Sequence, residues 1–340
     1  MLSGAATRGT GIAGQQRFVV TTVATGLSVP WGLGFLPDGT ALITGRDNAM
    51  INSVAADGTV RPIGMVANVA HGGEGGLLGL AVSPNFSSDN RLYVYYTAQD
   101  ANHIDAVTLR DGELSDQRAG VGGIPSGGIH NGGRMEFGPD GLLYVGTGDA
   151  GGGENAQNPD SLGGKILRLT ADLQPAPGNP GAGPQYSLGH RNVQGLAFDD
   201  TGQLWAAEFG QNTWDELNLI TAGGDYGWPT VEGQGGRDGF IDPQRVWSTD
   251  QASPSGIAFW DGSIWMAGLR GQQLWQIPIE ESPEGPVTGE PVAHLSGDYG
   301  RLRTVRVAPD GSLWVTTSNT DGRGDVRDGD DRILRLAPAA

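Results

Sequence analysis

The chain has 340 residues, a formal net charge of -17, a pI near 4.5, 59 glycines, 20 prolines and no cysteine. So acidic a chain repels a phosphate backbone, which argues against nucleic acid as a partner, and no apolar run approaches the roughly 18 residues of a membrane span. Without cysteine there are no disulfides, thiolate metal sites or thiol chemistry, and glycine without a collagen-like period marks turns and close backbone approaches.

Residues 1–16 are small, polar and Gly-rich and lack the apolar centre of a signal peptide, so a disordered tail, or the remnant of a trimmed export signal, is expected ahead of a single domain over 17–338. From there one pattern recurs six times: an apolar strand, an acidic or Gly turn, and a second strand rich in aromatics. The copies begin at Trp31, Gly79, Gly133, Gly195, Gly256 and Thr304, roughly 45 to 60 residues apart, near the spacing of propeller blades. Their turns include Pro37-Asp38-Gly39, Pro84-Asn85-Phe86, Pro139-Asp140-Gly141, Asp261-Gly262 and Pro309-Asp310-Gly311. Each copy reads as two period-2 strands joined by a hairpin. The sequence therefore predicts an all-β fold, a six-bladed β-propeller of four-stranded antiparallel blades. Phe18 to Val23 is expected to pair with the strand at Arg332 to Leu336 and lock the ring, and Asp215 to Ile220 reads as a strand.

Propeller loops converge on a central channel, so the polar residues outside the repeat are the candidates for chemistry. His130 lies in the glycine-flanked loop Gly128 to Arg134, where an imidazole titrating near neutrality can act as general base. Asp149, at the end of a later strand of the same blade, can orient it. The plainer alternatives are a hydrogen-bonded structural histidine and a turn aspartate. Arg191 and Asn192 offer directional donors for carbonyl or carboxylate oxygens, with a blade-linking salt bridge as the alternative. Arg301 and Arg303, two apart on a strand, face one way and make a basic clamp for an anion. The alternative, pairing with the acids from Asp321 to Asp331, suits Arg306 and Arg323 better. The stretch Glu208 to Asn218 combines carboxylates with Gly210 in the manner of a cation loop, without EF-hand spacing.

Six segments, in order, resemble the glucose/sorbosone dehydrogenase family, which includes the soluble quinoprotein glucose and aldose sugar dehydrogenases. They are Glu74 to Gly79, His130 to Arg134, Gly189 to Gly195, Asp215 to Ile220, Asp225 to Pro229 and Arg301 to Arg303, and the likeness spans about Val29 to Leu336. The resemblance implies oxidation of an aldose to its lactone with pyrroloquinoline quinone (PQQ) and Ca2+ as cofactors. It makes His130 the base, supported by Asp149. Arg191 and Asn192 hold the quinone oxygens, Arg301 and Arg303 grip the cofactor carboxylates, and the Gly210 and Gln211 carbonyls bind the calcium on the cofactor. Glu216 and the Tyr226 carbonyl match a second, structural calcium site.

The chain departs from the glucose enzymes in carrying Glu74 for Gln, whose charge repels the cofactor unless it is protonated or turned away. Arg270 stands for a cofactor-facing Lys, and Thr304 stands where an acid is common. Short connecting loops point to the aldose subgroup and a monomer. The substrate is a small sugar, the electron acceptor is not specified by the motifs, and a periplasmic or secreted location follows from the resemblance alone. The alternatives are a calcium-dependent lactonase-type propeller hydrolase, which needs acids and Asn converging on one ion, and a non-catalytic carbohydrate-binding propeller.

Overall fold

An aspartate that bonds the N–H two residues on, followed by a residue free to take positive φ, turns a strand back on itself at little cost. Asp38, Asp140 and Asp310 do this to Thr40, Leu142 and Ser312, and Gly39, Gly141 and Gly311 follow with φ of 88°, 74° and 79°. The computed structural model describes residues 18–283 and 285–338, and these turns build the expected six-bladed propeller there. The expected 1–16 tail lies outside the described residues.

From the channel outward, the first blade uses Pro30–Phe35, Ala41–Gly45, Met50–Val54 and Val60–Met65. The second uses Leu77–Val82, Arg91–Thr97, Asn102–Arg110 and Glu113–Ile124, the third Met135–Phe137, Leu143–Gly146, Lys165–Leu169 and Gln185–Leu188. The fourth contains Val193–Phe198, Leu204–Glu208, Trp214–Ile220 and Arg245–Ser248. In the fifth, Pro254–Trp260, Ser263–Gly268 and the long strand Gln273–Ser282 are followed by two short edge partners, Gly285–Thr288 and Val292–His294. The sixth joins Leu302–Val307, Leu313–Thr317 and Ile333–Pro338 to Phe18–Ala24 from the start of the chain. Two four-residue helices, Phe86–Asp89 and Glu154–Gln157, interrupt the pattern, the first at the turn expected at Pro84 to Phe86.

Mid-blade strands such as Leu204–Glu208 and Ser263–Gly268 are buried along their whole length because neighbouring blades cover both faces. The outer strand Glu113–Ile124 is mostly exposed. Each blade junction holds one apolar cluster: Trp205 and Met266 between the fourth and fifth blades, for example, or Leu33, Ile43 and Trp314 between the sixth and first. Closure is antiparallel pairing of Phe18 to Thr22 with Pro338 to Leu334, and Phe18 packs against Trp260, Trp265 and His294 of the fifth blade. Deleting residues 1–24 should lower the unfolding midpoint and make melting concentration-dependent, because the bared edge of Ile333–Pro338 can template strand addition. An unchanged midpoint in a monodisperse product would refute closure by this strand.

Candidate active site at one mouth of the channel

His130 occupies the left-handed backbone region, with φ of 57°, an uncommon state for a residue with a side chain. It is held at both ends: its N–H donates to Glu74 Oε2 at 3.1 Å and its carbonyl accepts Ala150 N–H at 3.0 Å. Gly148 permits this, since a Cβ there would lie 2.0 Å from the His130 carbonyl oxygen. The imidazole Nδ1 is 2.7 Å from Asp149 Oδ1. Asp149 also accepts the Gly151 N–H at 2.8 Å and the Trp228 indole N–H at 2.8 Å. Burial pushes this carboxyl up, but the bonds from His130, Gly151 and Trp228 outweigh it and hold Asp149 below the usual carboxylate value. An ionised Asp149 can only accept, so Nδ1–H donates to it and Nε2 is left with its lone pair free.

A cavity of about 430 Å³ opens beside this pair, and its walls bring together Glu74, His130, Arg191, Gly210, Gln211, Arg270 and Arg301. Arg303 lies in the adjoining recess with Trp31, Glu74 and Arg301. Asp149 faces a neighbouring hollow with His130, Arg191 and Trp228. Arg301 and Arg303 share one carboxylate oxygen, Asp321 Oδ2, at 3.0 and 3.2 Å. That corrects the expectation from sequence, which gave the Asp321 to Asp331 acids to Arg306 and Arg323. Arg306 instead pairs with Glu136 across the blades, and Arg323 pairs with Glu74 at 2.8 Å. One carboxylate shared by two guanidinium groups leaves a net positive charge, so the clamp retains attraction for an anion. Glu74 is turned to Arg323 and the His130 N–H, so its charge is spoken for. Arg270 is exposed at the rim.

Buried polar atoms without partners call for an explanation, and a bound ligand is one. Among the described residues these include Arg191 Nε and Asn192 Nδ2, two unsatisfied donors on the residues expected to meet quinone oxygens. Arg191 is fixed by its N–H on Glu208 Oε2 at 2.6 Å, by Nη1 on the Phe209 carbonyl at 3.1 Å, and by stacking over Trp228. Asn192 Oδ1 takes the Gly132 N–H at 3.0 Å.

The four expected metal-binding residues occupy two places. The Gly210 and Gln211 carbonyls accept no hydrogen bond among the described residues, and both residues line the cavity. Behind them Glu216 is buried beside Glu208, and Asn218 Nδ2 bridges the two carboxylates at 3.0 and 3.2 Å. Burial, then the neighbouring Glu208, push Glu216 up to about 8. Asn218 Oδ1 is buried and unpartnered. The Tyr226 ring stacks on His190 at 4.7 Å and its hydroxyl bonds the Leu219 carbonyl, while its own carbonyl has no partner among the described residues. Free carbonyls and crowded carboxylates are a donor set that suits a hard cation such as calcium. Among the described residues no three acidic or imidazole groups converge to hold a metal.

Sequence reasoning passed over three residues here. Trp228 touches both Asp149 and Arg191. Glu232 accepts four backbone N–H groups of the carbonyl loop. Lys165, the only lysine, donates to the carbonyls of Asn155, Ala156 and Gly163 at 2.6 to 2.9 Å, and Asn155 in turn bonds the Asp149 carbonyl. A lone lysine at the head of the strand Lys165–Leu169 was the available signal for the last.

The fold, the dyad and the arginine-lined cleft define a β-propeller enzyme. The chain belongs to the glucose/sorbosone dehydrogenase family, whose sequence model matches residues 27–334. It is similar to the aldose sugar dehydrogenase of Streptomyces coelicolor, solved with PQQ bound: 53% identity, a TM-score of 0.90, and coverage of 95% of this chain and 99% of that one. It is 31% identical to the Escherichia coli aldose sugar dehydrogenase YliI over 87% of this chain and 89% of that one. Quinoprotein glucose dehydrogenase B of Acinetobacter calcoaceticus is 30% identical over 65% of this chain and 54% of its own length. No helix among the described residues is long and apolar enough to cross a membrane.

The Trp228 bond can be weighed through pH. Asp149 is lowered in the fold, so its contribution to stability is present above the unfolded value of 3.8 and is lost as pH falls through its lower folded value. Trp228→Phe keeps an aromatic side chain but deletes the indole donor, which raises Asp149 back toward 3.8. The variant should lose about 1.5–3 kcal/mol at neutral pH, the range for a hydrogen bond to a charged group, and less once Asp149 is protonated. Urea unfolding at the two pH values checks this, and an equal loss at both would contradict it.

Proposed function

We propose that this chain oxidises aldose sugars at the anomeric carbon to lactones, with His130 as general base and PQQ as the hydride acceptor. The observation that carries the reading is the 2.7 Å contact between His130 and a low-pKa Asp149 at the wall of a cleft that also holds Arg191. When bound, the quinone supplies an electrophilic carbon for hydride and a calcium ion supplies Lewis-acid polarisation. Arg301 and Arg303 would hold the cofactor carboxylates with Arg270 at the rim, while Arg191 Nε and Asn192 Nδ2 would meet the quinone oxygens and stabilise charge that develops there. The Gly210 and Gln211 carbonyls would take the calcium, and Glu216 with the Tyr226 carbonyl a second ion. His130 Nε2 takes the proton of the anomeric hydroxyl as hydride leaves the same carbon, and Asp149 stabilises the imidazolium so formed. The protein works as a monomer outside the cytoplasm, and its electrons pass to a separate acceptor.

His130→Ala should retain cofactor binding, followed by its absorbance, and lose about 10²–10⁴-fold in turnover, the usual contribution of a general base. Full turnover would remove His130 from the mechanism. Chelation of calcium should weaken cofactor binding and lower the melting temperature, since an ion held only by the folded state stabilises it. A melting curve indifferent to chelator would argue against a native calcium site.

A further inference from the structure

We infer that Glu232 is the positioning residue that aims the calcium-binding carbonyls of Gly210 and Gln211 into the cleft. A single oxygen, Oε1, accepts the backbone N–H groups of four successive residues: Gln211 at 2.8 Å, Asn212 at 3.3 Å, Thr213 at 3.1 Å and Trp214 at 3.0 Å. In a trans peptide the N–H of one residue and the carbonyl of the residue before it lie in one plane and point in opposite directions. The Gln211 N–H shares its peptide with the Gly210 carbonyl, and the Asn212 N–H shares its own with the Gln211 carbonyl. Drawing those two N–H groups onto Glu232 therefore turns the two carbonyls the other way. Both lack a protein partner among the described residues, and both residues line the cleft wall.

The rest of the loop agrees with this role. The Gly210 N–H is tied to Asp215 Oδ1 at 3.0 Å, and a Cβ on Gly210 would lie 1.8 Å from the Trp214 carbonyl oxygen, so the turn closes only on glycine. Glu232 makes no ion pair within 4 Å of a basic side chain among the described residues, and its Oε1 is taken up by the four N–H groups. The next residue, Gly233, donates its N–H to Glu216 Oε1 at 2.7 Å, so one short segment braces both candidate cation sites. A neutral acceptor would make the same contacts more weakly, because hydrogen bonds to an ionised group are roughly twice as strong.

This inference rests on the calcium part of the proposed function. The test is hydrogen exchange of the peptide spanning 209–215 in the full-length protein without quinone, followed as calcium is added to wild type, Glu232→Gln and Glu232→Ala. The wild-type segment should gain protection as calcium rises. The midpoint should move up by about tenfold or more in Glu232→Ala, the effect expected when the support behind a ligand is lost, and by less in Glu232→Gln. Melting temperatures in chelator show whether each variant is folded, and if Glu232→Ala is not, Glu232→Gln carries the comparison. Unchanged midpoints in the folded variants would overturn the role of Glu232 and leave the calcium site standing. A wild-type curve that does not respond to calcium would overturn both together.

Discussion

The arrangement depends on a polar network across the floor of the channel. Arg134, from the loop entering the third blade, stacks on Trp31 of the first at 4.3 Å, donates to the Gln194 carbonyl of the fourth and reaches the Thr304 hydroxyl of the sixth. Thr304 donates to the Trp31 carbonyl, Ser255 of the fifth blade donates to Gln194 Oε1, and Arg303 reaches the same oxygen. Five blades meet in these contacts. Burial pulls Arg134 down to about 9, with Arg303 and Arg306 adding to the effect, so this guanidinium is held by the aromatic face and neutral acceptors more than by an opposing charge. Such a group is costly unless every donor is satisfied, and that demand fixes the blades relative to one another. Thr304 has a structural role here, joining the Arg134 guanidinium to the Trp31 carbonyl.

Above that floor the charge pattern runs against the rest of the molecule. The chain carries a net charge of -17, yet Arg46, Arg191, Arg270, Arg301, Arg303 and Arg323 line the cleft and its adjoining recess. Asp321 sits between two of them and is held low by them despite its burial. An acidic exterior discourages polyanions, while low-dielectric walls focus the positive field on a small anion that fits inside. Glu74 belongs to this balance: by pairing with Arg323 it trims the positive charge, and by accepting the His130 N–H it fastens the base to the arginine wall.

The fold was legible because hairpin turns and strand period are local. Asp38-Gly39 and its repeats determine where the chain reverses, and the alternation around them sets which residues enter the blade junctions. The pairing of Phe18 to Thr22 with the last strand was expected from the need to lock the ring and hide both edges, and it supplies the sixth blade with its outer strand. The candidate site was legible only in part, and membership of a recognisable segment did not decide it: Asp149 and Arg270 lie outside the six segments and were expected at the site, whereas Trp228 lies inside one and was given no role. Trp228 and Glu232 act on residues 79 and 18 to 21 positions away, through loops whose course no periodicity describes. The misplaced partners of Arg306 and Arg323 have the same cause: acids nearby in sequence were favoured over Glu136 and Glu74, which the ring brings in from other blades.

The central claim is that the cleft is a quinone site serving a sugar oxidation. It is tested most directly by adding PQQ and calcium to the purified protein and following reduction of an artificial dye with a panel of aldoses. Turnover that requires the quinone, the ion and the sugar together is the expected result. If the protein reduces no dye with any aldose and the quinone absorbance is unchanged on mixing, the propeller and its family membership stand and the proposed chemistry does not.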